Sequence, residues 1–124
     1  MPSVSRERIA NVDDHGIVED RHEDVDGTTI SFVTIREDVD AAPLLRGLPD
    51  DRCSCPHWGY VFKGQLTYRF ADHDEVFETG DAFYVPADHT NAVSADTEVV
   101  MFSPTEELAV TEAAIMRNMA AMQH

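Results

Sequence analysis

The stretch CSCPH (53–57) concentrates the residue types that bind metal ions, and it holds both cysteines of the 124-residue chain. Side chains at alternate positions of an extended strand project to the same face. If this stretch is a strand, Cys53, Cys55 and His57 therefore project together. Two thiolates and an imidazole suit zinc best, and iron, nickel or copper are possible. The spacing predicts a run of ligands to a divalent metal ion.

A further ligand has to come from another part of the chain, because structural zinc sites close with four protein ligands. His89 is the best placed, in the turn VPADHTN that follows a predicted strand. His73 falls at a predicted hairpin tip, where it is solvated, and the remaining histidines lie in polar or terminal segments. The predicted metal set is Cys53, Cys55, His57 and His89.

Two other interpretations of the cysteines require no metal. Residues two apart in a strand are about 6.6 Å apart, which is at the limit of disulfide geometry, so a Cys53–Cys55 bridge would be strained. Two buried thiols that only pack are the other alternative. Redox chemistry of the Cys-x-x-Cys type is disfavoured, because the spacing differs and no β-α-β pattern surrounds the pair.

Composition limits the partners. The chain has 24 acidic and 9 basic residues, a formal net charge of −15, which disfavours binding to nucleic acid or to an anionic membrane. No apolar run approaches the roughly 20 residues of a membrane helix. The first twenty residues contain no apolar segment typical of a secretion signal. These observations predict a single-domain cytoplasmic protein whose thiols stay reduced.

Short alternating segments separated by turn signals predict an all-β, antiparallel barrel or sandwich. The predicted organisation is an acidic arm or edge strand over 1–27, a β-barrel over 28–103 and a helix over 104–124. Ser103 and Glu106 have the spacing of a helix capping box, and the helix is expected to pack outside the barrel. Leu44, Leu45 and Leu48 lie in the loop 36–52, which packs over one end of the barrel or caps a pocket.

Two stretches resemble the motifs of small single-domain cupins. In HWGYVFKG (57–64), Tyr60, Val61, Phe62 and Gly64 match the aromatic-apolar run and closing glycine of the first cupin motif. In GDAFYVPADHTN (80–91), the Gly-Asp pair, the proline and a histidine match the second motif. The resemblance implies an antiparallel jelly-roll-like barrel. It also implies that residues 53, 55 and 57 point into the barrel mouth, where cupins bind metals and small molecules.

The chain departs from the cupin motifs at the metal ligands. His57 occupies the place of the family's glutamate, and Asp51 and Cys53 occupy the places of its first two histidines. Asp88 replaces the turn glycine, and Asn91 takes the place of the last histidine. The usual set of three histidines and one glutamate is therefore absent.

Two functions follow from these patterns. The first is a metal-binding cupin of unknown substrate, which could be a small-molecule enzyme. The alternative is a metal-free cupin that binds a small ligand in a barrel lined by Tyr60, Phe62, Phe83 and Tyr84. A homodimer is predicted from the methionines of the C-terminal helix, from the outward direction of Trp58 and Tyr60, and from the pairing common among cupins.

Overall fold

The computed structural model describes residues 3–122, which form two antiparallel sheets followed by one helix. The predicted all-β fold with a C-terminal helix is confirmed. Two 3₁₀ turns (Ala42–Leu45 and Pro49–Asp51) lie between the fourth and fifth strands. The strands and the helix are β1 (Asn11–Asp14), β2 (Val18–Val25), β3 (Thr28–Ile35), β4 (Val39–Asp40), β5 (His57–Lys63), β6 (Gln65–Arg69), β7 (Asp74–Glu78), β8 (Ala82–Val85), β9 (Thr90–Val93), β10 (Thr97–Pro104) and α1 (Thr105–Met122).

The two sheets pack face to face around one apolar core. One sheet has the order β1-β2-β3-β10-β5-β8 and the other has the order β4-β9-β6-β7, so the jelly-roll-like barrel is not hydrogen-bonded all the way round. Alternation along each strand divides core from surface: Val61 is fully buried and its neighbour Phe62 is 51% exposed. The core takes side chains from both sheets: Ile35, Val61, Leu66, Tyr68, Phe83, Val85, Val93 and Val99.

The acidic N-terminal segment contains two strands. β1 lies at the edge of the larger sheet, while β2 pairs with β1 on one side and with all eight residues of β3 on the other. The sheet therefore begins well before residue 28. Residues 1 and 2 lie outside the described part of the chain.

The helix α1 begins at Thr105, whose N–H donates to the Gly27 carbonyl at 3.0 Å. Ser103 belongs to β10, so the predicted capping box at that residue is wrong. The helix lies outside the two sheets, against the 3₁₀ turns, where Leu45 and Leu48 pack with Ala114. Within the described residues, no helix has the length and apolar character needed to cross a membrane. The end of the predicted helix, 123–124, lies outside them.

Gly64 joins β5 to β6 and is one of the points at which the chain passes from one sheet to the other. Its φ is +95°, and an added Cβ would clash with Thr97 Oγ1 and lie 2.7 Å from Thr97 Cα. Gly80 has a similar φ of +93°, but nothing lies within 4 Å of an added Cβ. The two glycines therefore separate the effect of backbone strain from the effect of crowding.

We expect Gly80→Ala to lower the free energy of unfolding by about 1–2 kcal/mol, because a Cβ disfavours the left-handed conformation. Gly64→Ala should lower it by about 1–3 kcal/mol more, because the new methyl group overpacks the corner against the Thr97 backbone. Urea unfolding followed by tryptophan fluorescence measures both values. Equal losses in the two variants would contradict the crowding at Gly64.

Candidate metal centre

An isolated antiparallel bridge joins Cys53 to His89 and brings the two motif segments together. The Cys53 N–H donates to the His89 carbonyl at 2.8 Å, and the His89 N–H donates back at 3.2 Å. Asp88, which replaces the turn glycine of the cupin motif, adopts φ +70° and donates its N–H to the Cys53 carbonyl at 2.8 Å. Asp is among the few residues that tolerate this conformation, so the turn forms without glycine.

The side chains of Cys53, His57 and His89 converge on one point. One ligand atom from each, sulfur or ring nitrogen, lies within 4.8 Å of the other two. All three side chains are buried, with exposures of 3%, 7% and 1%. In the described part of the chain this is the single group of His, Cys, Asp or Glu residues close enough to hold a metal ion. Three of the four predicted ligands are therefore brought together.

Cys55 is not part of this group. β5 begins at His57 and residues 54–56 are not in a strand, so the predicted continuous strand over 53–57 is wrong, although Cys53, Cys55 and His57 are all buried. Pro56 has no N–H to extend the ladder. The Cys55 side chain is fully buried with Leu45, Leu48 and Ala114, and its Sγ lies 3.4 Å from the Pro56 carbonyl oxygen. Both cysteines are free thiols.

Other polar residues considered from the sequence lie outside the converging group. The carboxylate of Asp51 accepts the Gly47 N–H at 3.0 Å and is exposed to solvent. Asn91 lies on β9, opposite Tyr68. His73 is exposed between Asp72 and Glu75. His15 and His22 are in the acidic N-terminal segment, and His124 lies beyond the described residues.

Hydrogen bonds on the far side of each ring orient the two imidazoles. The Nδ1–H of His89 donates to the Pro86 carbonyl at 2.8 Å, because a carbonyl can only accept. His57 Nδ1 lies 2.7 Å from Ser103 Oγ, and its Nε2 lies 3.8 Å from Cys53 Sγ. Each ring thus has one nitrogen bonded to its surroundings and the other free for the centre. This is the usual arrangement of metal-binding histidines in proteins.

Burial keeps the three donors neutral in the metal-free protein. It lowers the pKa of His57 to about 3, with nearby His89 as a second cause. It also lowers the pKa of His89, against the opposing effect of the Pro86 hydrogen bond. The same burial raises the pKa of the Cys53 thiol. The imidazoles are therefore neutral, each with one bare nitrogen able to coordinate, whereas the thiol needs a nearby cation to become a thiolate.

Three residues of the centre were not found from the sequence. Thr111 of α1 places its Oγ1 3.3 Å from Cys53 Sγ. The ring of buried Tyr68 meets that of His89 edge-on, with centroids 5.0 Å apart. From the sequence, Ser103 was assigned to a helix cap. The one signal of its inward direction is its position two residues after Met101, because alternate side chains of a strand share a face.

The aromatic residues proposed to line a barrel pocket divide between the two faces. Phe83 is buried in the core, but Tyr60, Phe62 and Tyr84 project from the outer face of the larger sheet. Alternation explains the division, because Tyr60 and Phe62 are each one residue away from inward-facing Val61. A cavity of about 440 Å³ lies on the side of residues 4–7 and contains none of the three converging side chains.

Comparison with known proteins identifies the fold. No protein-family model matches the sequence, and no curated protein matches it. Among solved structures, an RmlC-like cupin from Shewanella frigidimarina NCIMB 400 superposes with a TM-score of 0.55 over 82% of this chain and 88% of that one, at 16% identity. The fold is that of the cupins.

Two further structures share the cupin fold at low sequence identity. The polyketide cyclase RemF from Streptomyces resistomycificus has a TM-score of 0.57 over 84% of this chain and 79% of its own, at 13% identity. FeII HppE has a TM-score of 0.57 over 83% of this chain and 60% of its own, at 10% identity. At such identities the likeness concerns the fold, so the chemistry of this protein has to be argued from its own residues.

The buried state of His57 predicts a pH dependence of stability in the chelator-treated protein. Its pKa of about 3 in the folded state lies below the ordinary 6.5. Neutral His57 therefore contributes its full stability above about pH 6.5, and this is lost as the pH falls through that value towards 3. The slope from this one group is about 1.4 kcal/mol per pH unit. His57→Asn should remove it, as measured by urea unfolding between pH 6 and pH 4.

The control for this prediction is His73→Asn. His73 is exposed, and its neighbouring carboxylates, Asp72 first, raise its pKa. Its contribution is present at low pH and declines as the pH rises, which is the opposite sign. The His73 variant should therefore keep the acid slope of the wild type. An unchanged acid slope in His57→Asn would show that His57 titrates normally in the folded protein.

Proposed function

We propose that this protein is a metal-binding cupin in which Cys53, His57 and His89 hold a divalent ion, with zinc as the preferred metal. The convergence of one sulfur and two imidazole nitrogens within 4.8 Å is the observation that carries the proposal. A buried cysteine that only packs has no need of two neutral imidazoles beside it. Zinc accepts thiolate and imidazole ligands readily.

The chemistry of the donors fits such an ion. One thiolate and two neutral imidazoles leave a divalent ion with a net charge of +1, so it keeps more Lewis acidity than it would with two thiolates. Three protein ligands with one open position is the arrangement of catalytic zinc sites. We therefore propose a small molecule or water as the partner at the open position. The neighbour HppE is described with FeII, which makes iron the second candidate.

The proposed ligand set also requires reduced cysteines. Both thiols are free in the structure, and Cys53 can coordinate only while it is not in a disulfide. A cytoplasmic location, where thiols remain reduced, fits this requirement.

Metal removal should destabilise the protein. For an ion that binds only the folded state, the gain is about 2.7 kcal/mol at a free concentration one hundred times Kd. Untagged protein should therefore contain about one metal ion per chain by elemental analysis, and a chelator should lower its melting temperature. Cobalt substitution should give a thiolate charge-transfer band. Loss of the band should follow Cys53→Ser, and weaker binding should follow His89→Asn.

His73→Asn is the matched control for the metal experiment, since it removes a histidine outside the group. It should keep both the metal content and the cobalt band. An untagged protein without metal, whose melting temperature is the same with and without chelator, would overturn the proposed function.

We infer further that the protein forms a homodimer through the outer face of the larger sheet. Trp58 and Tyr84 lie opposite each other on neighbouring strands, with ring centroids 5.0 Å apart, and Phe102 is the partner of Trp58 on β10. Trp58 is 48% exposed and Tyr60 is 40% exposed. Contiguous aromatic side chains of this kind mark an interaction surface. A second copy of the chain offers the same aromatic face, and aromatic residues are enriched in the cores of interfaces.

Trp58→Glu should convert the dimer to monomer at micromolar concentration, because it places a carboxylate in the middle of the aromatic face. Met116→Glu is the control, since Met116 is similarly exposed but lies on α1. Because each chain has a net charge of −15, added salt should strengthen association by screening repulsion. Analytical ultracentrifugation measures these changes. Dissociation by Met116→Glu alone would assign the interface to the helix.

A further inference from the structure

A chain of three buried side chains runs from the proposed metal centre towards α1. Ser103 is 2% exposed and places its Oγ 2.7 Å from His57 Nδ1. Ser103 also acts on the next buried group, the Cys55 thiol, whose pKa it lowers against the larger effect of burial, as a hydroxyl that donates to sulfur does. The connected groups are thus the His57 ring, the Ser103 hydroxyl and the Cys55 sulfur, none of which is free to turn to solvent.

The direction of the hydrogen bonds along this chain decides which nitrogen of His57 carries the proton. A neutral imidazole has one N–H and one bare nitrogen. If Nε2 is to coordinate on the side facing Cys53, the proton must be on Nδ1. Ser103 must then accept from Nδ1–H and point its own proton elsewhere. The Cys55 sulfur is an acceptor in the right place, although a weak one.

His89 shows why this chain matters for His57 alone. The partner of His89 is the Pro86 carbonyl, which can only accept, so the backbone itself determines that tautomer. A serine hydroxyl can donate or accept. The tautomer of His57 therefore depends on whether Ser103 has another acceptor for its own proton.

We propose that Ser103 and Cys55 are positioning residues that hold His57 in the Nδ1–H tautomer and leave Nε2 free for the metal. Cys55 then acts as the acceptor of the Ser103 hydroxyl and not as a metal ligand. The purpose of this arrangement rests on the proposed metal-binding function, but the tautomer itself exists without any metal. The positioning and the metal binding can therefore be tested separately.

The first test is long-range ¹H–¹⁵N NMR of the imidazole rings in chelator-treated protein. His57 should show a protonated Nδ1 and a bare Nε2. Ser103→Ala should give a mixture of the two tautomers, while Ser103→Thr, which retains the hydroxyl, should preserve the wild-type state. The signals of His89 are the internal control and should not change. A wild-type His57 protonated on Nε2 would overturn the proposal, even if the Ser103 variants fail to fold.

The second test is cobalt titration, in which affinity and the thiolate band are followed together. Loss of an orienting partner typically weakens metal binding roughly 10–100-fold, and we expect this for Ser103→Ala. Cys55→Ala should also weaken binding, with an unchanged band per bound cobalt, and Cys55→Ser should restore affinity because its oxygen accepts. Wild-type affinity in Cys55→Ala would remove Cys55 from the proposal. A band reduced by about half would make Cys55 a ligand and overturn its positioning role.

The two tests separate this inference from the function on which it rests. If the wild-type protein shows the Nδ1–H tautomer of His57 but no cobalt band, the proposed metal binding fails and the positioning by Ser103 stands. If cobalt binds with its thiolate band but His57 is protonated on Nε2 in the metal-free protein, the metal function stands and the positioning fails.

Discussion

The pair of hydrogen bonds between the Cys53 and His89 backbones is the contact on which the centre depends. Cys53 precedes β5 of the larger sheet, and His89 precedes β9 of the smaller one. Their mutual N–H to carbonyl bonds, with the third bond from Asp88, close one end of the barrel across both sheets. Because the backbone makes this closure, the sulfur and the imidazole are brought together when the chain folds. The donors do not have to be gathered by the ion itself.

Burial then determines the protonation of the donors. Removal from water disfavours every charged form, so it leaves both imidazoles neutral and the Cys53 thiol protonated. The 24 acidic residues of the chain contribute no carboxylate to the converging group in the part described, residues 3–122. The acidity of the protein and the chemistry of its centre are thus separate properties. The large negative charge belongs mainly to the surface, while the centre contains groups that become charged only with a cation present.

The sequence predicted the fold better than it predicted the details of the centre. Alternation and turn residues identified the strands after residue 28, because both are local signals, and the two cupin-like stretches indicated how those strands assemble. The same two stretches predicted that Cys53, His57 and His89 lie close together. The position of Cys55 was mispredicted because the alternation rule requires a continuous strand, and Pro56 interrupts it. Ser103 was mispredicted because the spacing of a capping box describes local bonding, whereas here the hydroxyl bonds to His57, which is 46 residues away.

The contact between α1 and Cys53 links the helix to whatever the centre binds. The Thr111 hydroxyl and the Cys53 thiol can each donate or accept while the sulfur is protonated. Under the proposed function, coordination converts the thiol into a thiolate, which can only accept, so Thr111 must then donate. Hydrogen bonds to a charged acceptor are stronger than those between neutral groups. Metal binding would therefore strengthen the attachment of α1 over the centre, and by linkage a firmly attached helix would strengthen metal binding to the same extent. The helix thus forms part of the centre, although it supplies none of the proposed ligands.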